Sequence, residues 1–304
     1  MSAVEASAPC RVDLAGGAPG VATVAVAIDR RPSCRVETGA ALLELESKDA
    51  LRKASAESLS ELTPSPAHAL AVHVLRAFAV ERGVRVATHA RLPEGTGLAD
   101  GPALAVALAG AVAAALDRRL GPGEIERLAG EAALRAGVAS AGTGAEATAA
   151  RGRAVVFDGG SAGARVTPLR VDPARIEECL MLLDTRSEAA TAPPPGVETA
   201  PSVIAALQDG RLEALVDLWA EEWAARERRQ LGWPAPEASR LAGLVQAAGG
   251  AVRLLGGGRG RILAVWAPPG ARGPGRREAV REALRAAGVA TFPVRVDLRG
   301  LEVE

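Results

Sequence analysis

The segment from Leu92 to Leu116, in which a glycine-rich loop opens directly into a long apolar helix, constrains this chain more than any other. Such a junction gathers free backbone N–H groups and the positive end of a helix dipole at one spot, the layout of a phosphate cradle. It is not a Walker loop, because G-x-x-x-x-G-K-[ST] is absent. Nor is it a dinucleotide fingerprint: Gly95, Gly97 and Gly101 are mis-spaced, and no acidic residue closes a following strand. On its own, the loop is equally a tight strand-to-helix connection.

The pattern around it alternates strands and helices. Short strands are expected at Cys10–Leu14, Val21–Ile28, Cys34–Thr38 and Leu42–Glu46, a helix at Pro66–Glu81, and a strand at Val84–Leu92 leading into the loop. Helices follow at about 102–118 and 122–137. Ser140–Gly152 then reads as a loop and short helix, and Ala154–Phe157 with Arg165–Leu169 as a hairpin. The second half has a buried strand at Cys179–Asp184 and helices at about 198–208, 211–230 and 236–248. Strands at Val252–Leu255 and Ile262–Trp266, a helix at Arg276–Ala287 and a strand at Thr291–Asp297 complete it. That order, β–α–β–β–α–β, is a ferredoxin-like unit, so a domain boundary is expected near 170.

Composition excludes several functions. Acidic and basic residues balance at 36 each among 304 residues, so no basic surplus points to nucleic acid. The start lacks a signal peptide's charged and apolar regions, and the apolar run Ala103–Leu116 is too short to span a bilayer; a cytoplasmic protein is expected. Cys10, Cys34 and Cys179 have neither disulfide nor zinc spacing and read as buried free thiols. Tyr is absent and Phe and Trp number only three and four, which leaves Ala, Leu and Val to fill the core.

Three segments, in order, resemble the GHMP small-molecule kinases, most of all the heptose 7-phosphate kinase-like branch. Ala8–Gly17 is similar to the first motif, A-P-x-R-I-x-x-A-G-G-G-T-D; Pro93–Leu104 to the second, P-x-G-x-G-L-G-S-S-S-A-L; and Gly250–Trp266 to the third, a glycine hairpin before an apolar strand. The closing Phe292–Leu301 and Trp219, in a charged helix before motif three, also look like that branch. The resemblance implies an α+β fold of two domains: 1–170, ribosomal protein S5 domain 2-like with the glycine-rich phosphate loop, and 171–304, ferredoxin-like. It also implies an ATP-dependent kinase of a sugar or sugar phosphate that uses Mg²⁺, with no nucleic-acid or membrane partner. Gly95, Thr96, Gly97, Leu98, Asp100 and Gly101 would face the nucleotide with Gly256, Gly257 and Gly258, and Arg11 would lie near the substrate.

The chain departs from this pattern where chemistry is expected. The motif-two serines fall on Asp100, Gly101 and Pro102, so no hydroxyl remains for Mg²⁺ or phosphate, and Pro102 removes one N–H donor. A carboxylate roughly 5 Å from a phosphate charge repels it by about 3 kcal/mol unless a metal ion stands between them. Asp100 is therefore either a metal ligand or an acidic residue favourable to the helix dipole. The family's catalytic Asp falls on Ala145, with Glu146 the nearest carboxylate and the candidate base, one residue and about 100° of helix away. The sugar-contacting Asp of motif one falls on Gly20. Arg259 sits harmlessly in the motif-three turn or offers a cation to phosphate. Asp184-Thr-Arg186 is a candidate lining, and the charged residues Arg226–Arg229 read as a solvated helix face. Two readings stay open: a kinase in which Asp100 and Glu146 take over the lost roles, and a pseudokinase that keeps the fold as a binding protein.

Overall fold

A computed structural model describes residues 3–17, 20–63, 65–92, 96–139, 144–158, 165–186, 198–229, 233–256, 261–270 and 275–304. The first part of the chain, joined by residues 302–303, builds two sheets. β1 (Ala3–Ser7), β4 (Ser33–Thr38), β5 (Leu43–Ser47), β6 (Arg52–Ala56), β7 (Val84–His89) and β14 (Glu302–Val303) form a six-stranded sheet in the order β14-β1-β4-β7-β5-β6. Its pairs are antiparallel except β5 with β7. β2 (Cys10–Ala15), β3 (Thr23–Ile28), β8 (Ala154–Asp158) and β9 (Arg165–Pro168) form an antiparallel sheet in the order β2-β3-β8-β9.

The apolar helix after the loop, α2 (Asp100–Ala115), runs through the middle of this part. It packs on β1 and β4 and is flanked by α1 (Ala69–Ala77), α3 (Pro122–Arg135) and α4 (Ala145–Arg151). A helix enclosed on so many sides needs small side chains for close approach. Ala103, Ala105, Ala107, Ala109 and Ala111 are accordingly all buried, which is how a core nearly without aromatic rings closes here.

The second part is one antiparallel sheet in the order β11-β12-β10-β13, built from β10 (Leu180–Asp184), β11 (Ala251–Leu254), β12 (Ile262–Trp266) and β13 (Thr291–Pro293). Taken in chain sequence, that order is second-third-first-fourth, the ferredoxin-like arrangement expected from the sequence. α6 (Ala200–Gln208), α7 (Ala214–Arg229) and α8 (Pro236–Ala247) fill the first crossover and α9 (Arg276–Ala286) the second. Trp219 of α7 and Trp266 of β12 pack with ring centroids 5.8 Å apart, and each indole N–H donates to a carbonyl, those of Leu14 and Leu212. The Leu14 contact crosses from the second part to the first and occurs where β2 bulges between Asp13 and Ala15.

Several elements differ from the sequence expectation. β1, β6, β14 and α5 (Pro173–Cys179) were not expected. α1 is shorter than Pro66–Glu81, its end marked by Ala79 in the left-handed region. The strand expected at Thr291–Asp297 stops at Pro293; beyond it Val296 makes a single bridge to Ile28, and Asp297 exchanges backbone hydrogen bonds with Ala27 and Arg153. Residues after 293 thus leave the second sheet and return to the first part. Arg31 fastens them there, reaching Asp297 at 2.5 Å, Glu302 at 2.9 Å and the Gly300 carbonyl at 2.7 Å. The three cysteines are free and buried, and burial pushes the Cys34 and Cys179 thiols up to about 12, as expected of inert core residues. Among the described residues no helix is long and apolar enough to cross a membrane.

Candidate active site

The glycine-rich loop is held by backbone contacts on both sides. The Arg11 N–H of β2 donates to the Leu98 carbonyl at 3.0 Å, and the Ile262 N–H of β12 donates to the Thr96 carbonyl at 3.3 Å. Gly97, at φ +79°, meets Gly256 so closely that a Cβ on it would lie 2.7 Å from the Gly256 nitrogen, and a Cβ on Gly256 would lie 2.8 Å from the Gly97 Cα. Motif two and motif three therefore touch through bare backbone, which only glycine at both positions permits. A second tie runs beside it: buried Arg253 of β11 donates to the Gly16 carbonyl at 2.5 Å and pairs with buried Glu222 of α7. Glu222 also accepts from Arg226 at 2.6 Å, and the Arg226 guanidinium lies 5.9 Å from the Trp233 ring centroid. Arg226 is thus part of a buried network rather than a solvated face.

Beside the glycine contact lies a cleft of about 210 Å³ bordered by Arg11, Asp13, Gly17, Gly97, Asp100, Gly101, Val138, Ala139, Ala145 and Gly256. Five residues singled out from the sequence therefore converge: Arg11, Gly97, Asp100, Gly101 and Gly256. Thr96 and Leu98 are buried behind the loop, where the Thr96 hydroxyl lies 3.4 Å from both an Asp100 carboxylate oxygen and the Leu98 N–H. Gly95, Gly257, Gly258 and Arg259 lie outside the described residues. Ala99, the residue before α2, sits in the left-handed region at φ 58°, a strained conformation at the mouth of the cleft.

Glu146 does not line the cleft. Ala145 does, and the Glu146 side chain turns toward α3, where a Cβ placed on Gly130 would lie 3.7 Å from its carboxyl carbon. Burial raises the Glu146 carboxyl above the usual carboxylate range and the Glu126 charge adds to this, while its own backbone N–H and the Arg11 charge pull the other way. Asp184 is engaged elsewhere: Arg261 holds it through contacts at 2.8 and 2.5 Å and depresses its pKa, and the Arg186 N–H donates to it.

The sequence reading missed two features. One is Asp13, which shares a face of β2 with Arg11; two charged residues at i and i+2 in an otherwise apolar strand were the available signal. The other is a cavity of about 980 Å³ lined by the β5–β6 hairpin, His68 and Leu104, which shares Asp100, Gly101 and Val138 with the cleft. The chain's only lysines, Lys48 and Lys53, fall at this hairpin, and Lys53 lines the cavity. His68 spans the hairpin base and is spent on structure, contacting Ser65 Oγ at 3.0 Å and the Arg52 carbonyl at 3.2 Å.

Asp100 thus borders both a small cleft and a chamber large enough for a nucleoside. The donor set fits a nucleoside triphosphate with its metal: a carboxylate suits Mg²⁺, and the start of α2 offers backbone N–H groups, less the one that Pro102 lacks.

Comparison with known proteins bears on the fold. Residues 67–152 match the family model described as GHMP kinases N terminal domain. A D-glycero-D-manno-heptose 1-phosphate kinase from Bacteriodes thetaiotaomicron is similar over 99% of this chain and 98% of its own, at 21% identity and a TM-score of 0.79. Lactococcus lactis galactokinase, solved with galactose, is similar over 99% of this chain and 95% of its own at 12% identity and a TM-score of 0.75. Methanococcus jannaschii mevalonate kinase is similar over 97% and 99% at 15% identity and a TM-score of 0.69. Comparison with curated proteins gave no match. Residues 67–152 thus match a GHMP kinase N-terminal domain, and the chain as a whole has the fold of these solved kinases.

Proposed function

We propose that this chain is an ATP-dependent phosphotransferase acting on a sugar or sugar phosphate in the cytoplasm, with two domains meeting near residue 170. The observation that carries the reading is that Asp100 lines both the cleft holding Arg11 and the larger chamber. When bound, Mg·ATP supplies an electrophilic γ-phosphoryl group. Asp100 would hold the metal, in place of the family's hydroxyl ligands. The start of α2 presents its backbone N–H groups to the phosphates, and the glycine seam of Gly97 with Gly256 holds motif two against motif three beside them. Arg11 orients the acceptor. Glu146 would reach the cleft only after a turn of α4, so the reading does not depend on it as base.

A second reading is favoured by one specific observation: Ala145, not a carboxylate, faces the cleft, and no hydroxyl stands at Gly101 or Pro102. On that reading the chain is a pseudokinase that binds a nucleotide or sugar without transfer.

Thermal unfolding with ATP, with and without Mg²⁺, for the wild type and Asp100→Ala tests both. Saturating ligand at about a hundredfold over Kd stabilises by about 2.7 kcal/mol. The kinase reading expects this stabilisation to need Mg²⁺ and to be lost in Asp100→Ala, with ADP released on addition of the right sugar. No stabilisation under any condition rejects it. Stabilisation without Mg²⁺ that grows in Asp100→Ala favours the pseudokinase.

A further inference from the structure

We propose that Asp13, together with Arg11, is the receptor for a pair of substrate hydroxyl groups, standing in for the acidic residue that motif one lacks at Gly20. The inference rests on the kinase reading for the identity of the ligand as a polyol, but its structural grounds are separate. Asp13 is 6% exposed and Arg11 5%, and both border the cleft. Asp13 Oδ1 lies 2.9 Å from Arg11 Nε, a contact of opposite charges without hydrogen-bond alignment; Oδ1 has no hydrogen-bond partner among the described residues. A carboxylate offers about four lone-pair directions, and one oriented only by a single guanidinium keeps capacity for O–H donors from the cleft.

The backbone is shaped around this carboxylate. β2 bulges immediately after Asp13, and bulges re-aim side chains beside binding sites. The extra residue, Leu14, has its carbonyl taken by the Trp219 indole, so the irregularity is supported from the second part of the chain. Gly17, at φ +87°, passes over the carboxylate so closely that a Cβ there would lie 2.4 Å from Asp13 Oδ2. Its N–H is turned away, donating to Thr23 Oγ1 at 3.0 Å, so Gly17 does not consume the carboxylate.

A purely structural role explains this poorly. A buried ion pair contributes little net stability over apolar residues of similar size, and here the pair occupies cleft wall rather than core. Side by side, an acceptor and a donor match two neighbouring hydroxyls: one O–H donates to Asp13 while Arg11 donates to the oxygen of the next.

The test uses the full chain with D-mannose, D-mannose 1-phosphate and D-mannose 6-phosphate as probes, and ATP measured separately. Binding is read by calorimetry for the wild type, Asp13→Asn and Asp13→Glu, with folding checked by thermal midpoint. Asp13→Asn keeps size while removing the charge, and is expected to weaken sugar binding about 10- to 100-fold, the loss of a charge-assisted hydrogen bond, with ATP affinity within about twofold. Asp13→Glu keeps the charge but displaces it beneath Gly17, and is expected to lose sugar binding to a similar degree. Should either variant unfold, the other decides. A wild type that binds sugar equally well as a folded Asp13→Asn overturns the receptor and leaves the kinase reading intact. A wild type that binds ATP but none of the sugars also overturns the receptor. A wild type that binds neither overturns both.

Discussion

At the seam of the cleft, Gly97 and Gly256 meet backbone to backbone, and Arg253 grips both Gly16 and Glu222. A few residues away, Asp100 faces two cavities and Ala145 borders one. The first region is fixed by contacts that bind the two parts of the chain to each other. The second is free to change its chemistry without disturbing them. This explains how a chain can lack the hydroxyls and the carboxylate of the kinase motifs and still hold the whole fold. Shape at this site depends on where glycine and buried charge sit, while the side chains that line the cleft at Asp100 and Ala145 are ones the fold scarcely uses.

The comparison is broken most directly from the seam side. Arg253→Ala leaves the Gly16 carbonyl without its donor and Glu222 with Arg226 alone in a buried setting, and is expected to cost about 3 kcal/mol by urea unfolding. A coupling under about 0.5 kcal/mol in a double-mutant cycle with Glu222→Gln would show that the network is not a unit. Gly97→Ala combines a left-handed backbone with a clash against the Gly256 nitrogen, and about 2–4 kcal/mol of lost stability is expected. A neutral result there would dissolve the contrast between seam and site.

The ligand-facing side is expected to respond in the opposite way. Asp100→Ala removes a charge favourable to the helix start and shifts unfolding by no more than about 1 kcal/mol, while erasing any Mg²⁺ dependence of ATP stabilisation. Glu146→Gln is the smallest and is set by pH. Because burial raises this carboxyl, the folded chain is penalised for ionising it. The wild type therefore loses stability as pH rises through the raised value, and the penalty is absent below the usual carboxylate range near 4.5. The Gln variant should match or slightly exceed the wild type in melting temperature at pH 7 and show no advantage at pH 4. An advantage that grew on acidification would contradict the burial effect.

What could be read from the sequence followed the strength of its local patterns. Long amphipathic or apolar stretches such as those forming α2, α3 and α7 carried their own periodicity. β1, β6 and β14 did not: Arg52–Ala56 is polar and exposed, and Ala3–Ser7 becomes a strand by lying between β4 and β14. At the site, glycine loops and Arg11 were visible because motif spacing exposes them. Asp13 was hidden in an apolar strand whose bulge no local pattern announces, and the chamber by the β5–β6 hairpin exists only through strands brought together from distant sequence. Glu146 was adjacent in sequence to the cleft-lining position, but one step along a helix carries a side chain to another neighbour, here Gly130.

The return of residues 294–304 to the first sheet also bears on how the protein reaches its fold. β1 is flanked by β4 on one side and by β14 on the other, so its pairing spans nearly the whole sequence. Such distant partners raise the contact order, and closing so large a loop slows folding. Until the segment around Glu302 has been synthesised, one edge of β1 stays open to pairing with other strands, the circumstance in which nascent chains associate wrongly.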